Sequence, residues 1–188
     1  MILVINVCKE KLHYFEFVKP VEDILKREDV DFFTRHYNDI KKNDLENCGK
    51  VIICGTSLKD NGFLENIEKF SWIKEFEKPI FGICAGMQII GLVFKGRIRN
   101  QLEIGYFYEE FKKGTAGVPS KEGNFFGLNG KVEVYHLHNN YIEFSKDFEI
   151  YSRGKIPQAV RCKIKEIYGV LFHPEVRQKE IIREFVRS

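Results

Sequence analysis

The first half of the chain alternates between two hydrophobic patterns, and this alternation predicts the fold. Some segments are short, mostly apolar runs that are typical of strands buried on both faces of a sheet. Other segments repeat apolar residues at helical spacing, beginning at about Pro20 and again at Leu64. The segments interpreted as strands are 2–7, 30–34, 51–54 and 79–83. Strands that alternate with helices predict a parallel sheet with helices on both faces.

The pattern changes after about Arg97. Short strand patterns follow, separated by Gly, Asn and Lys, at 107–111, 131–138, 148–152 and 159–164. The stretch 112–124, rich in Gly, Lys and Ser, is predicted to be a mobile loop. A buried strand returns at 167–172, and a helical pattern over 176–186 closes the chain. We therefore predict an α/β protein whose mostly parallel sheet carries a small antiparallel extension in its second half.

Length, charge and cysteine usage narrow the class of protein. The 188 residues fit one domain, 1–188, because no linker is long enough to divide it. The 30 basic and 27 acidic residues nearly balance, so charge does not favour nucleic acid or a membrane as a partner. Five scattered cysteines without a C-x-x-C pair indicate a reducing compartment. The apolar N-terminal run is too short to span a membrane and resembles a strand more than a signal peptide, so we expect a cytoplasmic protein.

The candidate nucleophile is Cys84. It is the central residue of the pentad Gly-Ile-Cys-Ala-Gly, 82–86, which joins a predicted strand to a predicted helix. A nucleophile flanked at two positions by small residues in such a turn is typical of a nucleophile elbow, here with Cys in place of Ser. The turn is sharp, and larger side chains at 82 and 86 would make the strand and helix collide. The N-terminus of the following helix stabilises the thiolate, which is the reactive form.

His173 is the candidate base for this nucleophile. It follows the predicted strand 167–172, so we expect it to emerge beside Cys84 at the carboxyl edge of the sheet. Glu175 lies two residues further on, and residues i and i+2 of an extended segment point the same way. Pro174 suppresses helix formation between them. The three side chains are therefore a candidate triad, in which the glutamate orients the imidazole and stabilises its charged form.

Two segments together carry a family resemblance. The sequences Gly-Ile-Cys-Ala-Gly-Met-Gln at 82–88 and Tyr-Gly-Val-Leu-Phe-His-Pro-Glu at 168–175 lie about ninety residues apart. In this order they resemble the class I, or triad, glutamine amidotransferases, and look closest to the separate glutaminase subunits of archaeal GMP synthases. The resemblance covers essentially the whole chain. It implies a flavodoxin-like α/β fold and an enzyme that releases ammonia from the γ-carboxamide of glutamine through a γ-glutamyl thioester. The ammonia would be channelled to a synthetase partner.

The resemblance also implies a role for each residue of the triad. Cys84 would be the nucleophile, His173 the general base and then the general acid, and Glu175 the carboxylate that orients the imidazole. The backbone N–H of Ala85 would be one donor of the oxyanion hole, as the residue after the nucleophile is in elbow enzymes.

Three further positions match the family outside the triad. Gln88 corresponds to a glutamine of the elbow helix that lines the substrate pocket. Gly105 ends the segment Glu103-Ile104-Gly105, which resembles a short segment before the substrate-contacting strand, so it is a candidate substrate-binding residue. His138 falls where the GMP synthase relatives carry a Ser-His pair that faces the synthetase. It is a candidate interface residue, although a histidine on a surface strand is an equally good interpretation.

The oxyanion turn departs from the family pattern. The family's second oxyanion donor comes from a Gly-Gly-Pro turn after the third strand, which the resemblance also places against the substrate, but this chain has Gly55-Thr56-Ser57. A backbone N–H does not depend on the side chain, so Thr56 can donate if its φ is compatible. A positive φ would strain a β-branched residue there. Losing one such donor costs about 3 kcal/mol of transition-state stabilisation, so this turn decides the efficiency.

Three functions are left open by the sequence. The leading hypothesis is a glutaminase that feeds a separate synthetase, with GMP synthesis as the best single guess for the pathway. The alternatives are a stand-alone γ-glutamyl hydrolase and a non-catalytic binding or regulatory module on the same fold. The chain shows no Gly-x-x-x-x-Gly-Lys-[Ser/Thr] phosphate loop. We therefore expect no cofactor and no metal in this chain, and ATP and Mg²⁺ only on the synthetase partner.

Overall fold

The computed structural model of the protein describes residues 1–112 and 125–188, so the loop predicted at 112–124 falls almost entirely outside the described residues. The strands are β1 (Ile2–Asn6), β2 (Phe32–His36), β3 (Lys50–Ile53), β4 (Ile80–Ile83), β5 (Arg97–Phe111), β6 (Gly130–Glu143), β7 (Phe148–Ile150), β8 (Ala159–Cys162) and β9 (Ile167–Val170). The α-helices are α1 (Lys11–His13), α2 (Lys19–Arg27), α3 (Lys42–Asn47), α4 (Ala85–Val93) and α5 (Glu180–Arg187). A π-helix covers Tyr14–Val18, and 3₁₀ helices cover Tyr37–Asp39 and Leu64–Lys74.

The described strands form a seven-stranded sheet and a separate two-stranded ribbon. The order in the large sheet is β2-β1-β3-β4-β9-β8-β7. The five strands from β2 to β9 are parallel, whereas β8 and β7 are antiparallel to their neighbours and extend one edge. The ribbon pairs β5 with β6 in the antiparallel sense. This confirms the predicted mostly parallel sheet with an antiparallel extension.

The core lies on both faces of the large sheet, as the continuous apolar runs predicted. Along β1, Ile2 and Val4 pack into one cluster of buried residues, and Leu3 and Ile5 pack into the other. The first cluster includes apolar residues of α2 and α5, and the second includes those of α4 and of the 3₁₀ helix 64–74. Because side chains alternate along a strand, a run that is apolar at every position covers both faces.

The ribbon is much longer than the short strands predicted at 107–111 and 131–138. Strand β5 begins at Arg97, and its first six residues are exposed, so they carry no hydrophobic signal. Backbone pairing along β6 nevertheless holds them in a strand. The register shifts between Asn100 and Glu103, where β5 has one residue more than β6. This is a β-bulge, and beyond it Glu103 lies opposite His138.

Two helix predictions were wrong in extent. Helical structure begins at Lys11 instead of about Pro20, because α1 and the π-helix precede α2 without a break. The closing helix begins at Glu180 instead of residue 176. Gln178 interrupts the predicted helix with a φ of 81°, and its side-chain amide donates to the carbonyl of Glu133 at 2.9 Å. The segment after His173 is therefore a turn attached to β6. None of the helices in the described part of the chain is long and apolar enough to cross a membrane.

Two glycines permit the sharp turn from β4 into α4. A Cβ built on Gly82 would lie 2.6 Å from the backbone carbon of Gly86. A Cβ built on Gly86 would lie 2.2 Å from the carbonyl oxygen of Ile53, on the neighbouring strand β3. Both distances are far shorter than any non-bonded contact, and the atoms that they meet belong to the backbone. The small residues of the pentad are thus required because the elbow packs directly against its neighbours.

We predict that Gly86→Ala lowers the free energy of unfolding by about 3 kcal/mol, which is the upper part of the range for overpacking. The methyl group would meet the Ile53 carbonyl, and relief requires α4 to move away from the sheet. Chemical denaturation monitored by circular dichroism measures the change. Gly154→Ala is the matched control, because the nearest atom to its added methyl group would be 3.8 Å away, and it should change stability by less than about 0.5 kcal/mol. Equal stability of both variants would contradict the packing argument.

Candidate active site

The backbone of Cys84 is strained. It lies between β4 and α4 with φ 49° and ψ −103°, in a region that non-glycine residues rarely occupy. Such a conformation costs about 1–3 kcal/mol and persists only where the surrounding structure imposes it. Here the packing of Gly82 and Gly86 imposes it, and the thiol is held at the end of β4. The elbow that the sequence predicted is therefore present in the structure.

His173 and Glu175 form a buried pair after β9. The Nδ1 atom of His173 donates to Oε1 of Glu175 at 2.7 Å, and both side chains are almost completely buried. The backbone N–H of His173 donates to the carbonyl of Tyr135 at 2.8 Å, which attaches this turn to β6. The ring of Phe17, in the π-helix, packs with its centroid 5.4 Å from that of the imidazole. The carboxylate thus fixes the tautomer of the histidine, and its surroundings fix the orientation of the ring.

The imidazole of His173 favours its charged form. Burial on its own lowers the pKa of His173, but the charges of Glu175 and Cys84 outweigh it and raise this pKa well above the ordinary value. Among the described residues, Nε2 of His173 has no hydrogen-bond partner, although it is buried. This nitrogen is therefore available to exchange a proton with a neighbouring reactive group.

Gly55 brings the nucleophile and the base together. A Cβ built on Gly55 would lie 2.7 Å from Cε1 of His173 and 3.3 Å from Cβ of Cys84, so the backbone of Gly55 fills the space between the two side chains. The three elements that meet here are the ends of β3, β4 and β9, which are adjacent in the sheet. The structure thus unites Cys84, His173 and Glu175 at the carboxyl edge, as the sequence predicted.

The thiol of Cys84 is directed towards the ribbon in this structure. Its Sγ atom donates to the carbonyl of Leu137 in β6 at 3.6 Å. A second thiol, Cys8, lies nearby and donates to the carbonyl of Gly55 at 3.7 Å. Burial raises the pKa of Cys8 to about 11, so this thiol stays protonated and does not compete as a nucleophile.

The oxyanion turn contains Thr56 without the strain that a positive φ would cause. Thr56 is not among the residues with positive φ, and its side chain is buried. Its hydroxyl donates to Oδ2 of Asp60 at 2.9 Å, and the same oxygen accepts from the backbone N–H of Lys9 at 2.6 Å. These bonds shape the turn in place of the family's second glycine and proline. Asp60 was missed by sequence reasoning, because no motif marks it.

The pocket beside Cys84 is small. It is lined by Thr56, Ala85 and Gln88, as predicted, and also by side chains of β6 that the sequence did not identify. It encloses only about 10 Å³, which is space for about one water molecule. Asn139 closes one side, because its amide donates to the carbonyl of Leu58 at 2.9 Å. On the other side, the amide of Gln88 donates to the carbonyl of Asn140 at 2.9 Å.

Gly105 and His138 lie on the ribbon at different distances from the pocket. Gly105 has a φ of 114°, pairs with His136 and is not among the residues that line the pocket. His138 does line the pocket, and it is buried, so the interpretation as a surface histidine was wrong. The structure groups His138 with His136 and Glu103, a cluster that the sequence analysis did not connect. The His-x-His spacing was the available signal, because i and i+2 share one face of a strand.

Comparison with known proteins is consistent with this geometry. The model of the family "Glutamine amidotransferase class-I" matches residues 15–187. The chain is 34% identical over 133 residues to the glutamine-hydrolysing subunit of GMP synthase from Picrophilus torridus, covering 65% of this chain and 68% of the relative. It is 31% identical over 131 residues to the corresponding subunit from Methanobrevibacter smithii, covering 68% of this chain and 64% of that relative. The match thus spans just under two thirds of the second relative.

A solved structure is similar over nearly the whole chain. It is a crystal structure of a protein described as a GMP synthase subunit, from Thermoplasma acidophilum, with a TM-score of 0.82 and 22% identity, covering 99% of this chain and 92% of the other. At this level of identity the similarity supports the fold. The family match over most of the chain shows more: the chain belongs to the class I glutamine amidotransferases, and it is an enzyme of that family.

Proposed function

We propose that this protein hydrolyses the γ-amide of glutamine through a γ-glutamyl thioester on Cys84 and supplies the ammonia to a separate synthetase subunit. The observation that carries the proposal is the buried 2.7 Å bond between His173 and Glu175, beside the strained backbone of Cys84. A nucleophile, a base and an orienting carboxylate in this arrangement are the parts that acyl transfer requires.

The proposed reaction proceeds in two halves. His173 takes the proton of the Cys84 thiol, and the thiolate attacks the amide carbon of glutamine. The negative oxygen of the tetrahedral intermediate would accept from the backbone N–H groups of Ala85 and Thr56. His173 then gives its proton to the departing nitrogen, which leaves as ammonia. In the second half His173 removes a proton from water, the hydroxide attacks the thioester carbon, and the C–S bond breaks to give glutamate and free Cys84.

The closed pocket supports dependence on a partner over a stand-alone γ-glutamyl hydrolase. A space of about 10 Å³ does not admit the side chain of glutamine, so the pocket needs to open before substrate enters. The thiol also points to the carbonyl of Leu137 instead of the imidazole. Both features involve β6, and both would change if β6 shifted. We propose that docking of the synthetase causes this shift, so that ammonia is released only when an acceptor is present.

The names of the relatives support GMP formation as the destination of the ammonia, since both are subunits of GMP synthase. In this proposal ATP and Mg²⁺ belong to the synthetase partner. The test is to purify the chain with the GMP synthase synthetase subunit encoded in the same genome and to measure glutamine-dependent GMP formation and glutamate release. Glutamate release that is unaffected by the synthetase would contradict the partner, while the absence of release under every condition would contradict the glutaminase.

We predict that Cys84→Ala lowers glutaminase turnover by roughly 10⁶, because removal of the nucleophile eliminates the covalent route. A glutamine-analogue electrophile should label the unaltered protein once and should leave the variant unlabelled, which intact-protein mass spectrometry measures. Cys8→Ala is the control, because Cys8 is a protonated thiol beside the same site. It should retain labelling. Labelling that persists in Cys84→Ala would contradict the role of Cys84.

We predict that Glu175→Gln lowers the pKa of His173 below its ordinary value of about 6.5, because burial then outweighs the attraction that remains. NMR titration of the imidazole should show His173 protonated at pH 7 in the unaltered protein and neutral in the variant. The raised pKa also stabilises the fold. Its contribution is complete below pH about 6.5 and is lost as pH rises through the folded-state pKa, and this loss should disappear in the variant. A protonated His173 at pH 7 in Glu175→Gln would contradict the assignment.

We predict that Asn139→Ala raises glutaminase activity in the absence of the synthetase by about fivefold, as expected if a hydrogen bond worth about 1 kcal/mol holds the pocket closed. The bond concerned joins Asn139 to the carbonyl of Leu58 at 2.9 Å. Steady-state kinetics with glutamine measures the change. Asn66→Ala is the control, because it removes a similar 2.8 Å bond, to the carbonyl of Gly62, outside the pocket. Unchanged or lower activity in Asn139→Ala would contradict the closing role of this bond.

A further inference from the structure

The ribbon carries an unusual group of buried ionisable side chains on one of its faces. His136 and His138 alternate along β6, and both have fully buried side chains. Glu103 lies opposite His138 on β5, and its side chain is only 16% exposed. Glu109 follows on the same face of β5, with 17% exposure. Burial of polar and charged groups is costly, so a cluster of this kind requires partners that satisfy every member.

Three potential ligand atoms of this cluster lie at mutual contact distance. Nδ1 of His136 is 3.0 Å from Nε2 of His138 and 3.1 Å from Oε2 of Glu103, and Nε2 of His138 is 2.9 Å from the same oxygen. Protons satisfy such a triangle poorly. If both nitrogens donate to the oxygen, two N–H groups confront each other, and if one nitrogen accepts, its lone pair faces the carboxylate. A single cation at the centre would satisfy all three atoms.

The separations match those of ligands around one metal ion. Bonds of about 2.1 Å from nitrogen or oxygen, at right angles to one another, place neighbouring ligand atoms about 3.0 Å apart. Two imidazoles and one carboxylate on one side of the ion form a facial set that leaves further coordination positions open. This ligand set suits divalent first-row transition metals and is less suited to Ca²⁺ or Mg²⁺, which prefer oxygen.

The groups around the triangle resemble an outer coordination shell. Oε1 of Glu109 lies 3.4 Å from Nε2 of His136, the ring nitrogen that does not face the triangle. A carboxylate at the second nitrogen fixes the tautomer of a ligating histidine. The side-chain amide of Gln158, itself buried, donates to Oε2 of Glu103 at 3.2 Å and so orients the carboxylate. Among the described residues, Nδ1 of His138 has no partner.

We propose that Nδ1 of His136, Nε2 of His138 and Oε2 of Glu103 bind one divalent first-row transition-metal ion. The ion would connect β5 to β6 beside the catalytic pocket, because His138 also lines that pocket. It would fix the segment 136–138, whose Leu137 carbonyl accepts from the thiol of Cys84. The role assigned to the ion is structural, and no step of the glutaminase reaction passes through it.

The test uses a Cys84→Ala protein, so that the active-site thiol cannot bind the metal. After treatment with a chelator, Co²⁺ is added, and binding is followed by visible absorption and by metal analysis of the gel-filtered protein. We expect one Co²⁺ for each chain. Glu103→Gln and His136→Gln in the same background should each weaken binding by at least tenfold. Co²⁺ should also raise the melting temperature of the parent and not that of Glu103→Gln.

His36→Gln is the matched control, because His36 lies outside the cluster and its ring nitrogens contact the backbone of Cys8 and Asn38. It should bind Co²⁺ like the parent. If the cluster variants fail to fold by circular dichroism, X-ray absorption of the Co²⁺-loaded parent decides, and two imidazole ligands are expected. Absence of Co²⁺ and Zn²⁺ binding, binding unchanged by Glu103→Gln, or a shell of sulfur or of oxygen alone would overturn the proposal and leave a proton-linked cluster.

Discussion

The structure depends on the close contact between the elbow and its neighbouring strand. The backbone of Gly86 lies so near the carbonyl of Ile53 that no side chain fits between them, and this contact directs α4 away from β4 at Cys84. The strained φ of Cys84 is the consequence. It places the thiol above the edge where β9 delivers His173. The remaining parts of the site are arranged around a backbone conformation that a hydrophobic core on both faces of the sheet sustains.

The ribbon β5–β6 is the second element that determines the site. Its β6 strand accepts the Cys84 thiol, closes the pocket through Asn139 and holds the turn that carries His173. The same strand contributes two histidines to the buried cluster. Strain at the elbow and contacts from the ribbon therefore act on the same thiol. One presents the nucleophile, and the other governs when substrate can reach it.

Much of this architecture followed from the sequence because it is encoded locally. The apolar runs identified the parallel strands, and the pentad around Cys84 identified the elbow, since sharp turns require small residues at fixed positions. The His-Pro-Glu segment identified the other half of the triad for a similar reason. The length of β5 was not predictable from hydrophobic pattern, because its first residues are exposed and are held by pairing with β6. The start of α5 depended on Gln178, whose bond to β6 is equally non-local.

The sequence by itself determined the family, the sheet, and the identity of the nucleophile, base and carboxylate, because each rests on spacing within a short segment. Only the tertiary structure decided whether Thr56 is strained, how far the pocket is open, and which polar residues meet inside the ribbon. Those properties arise between residues that are tens of positions apart, such as Leu58 with Asn139 and Glu103 with His136. They depend on strand register and on the bulge in β5, which backbone pairing sets and which no local pattern of side chains records.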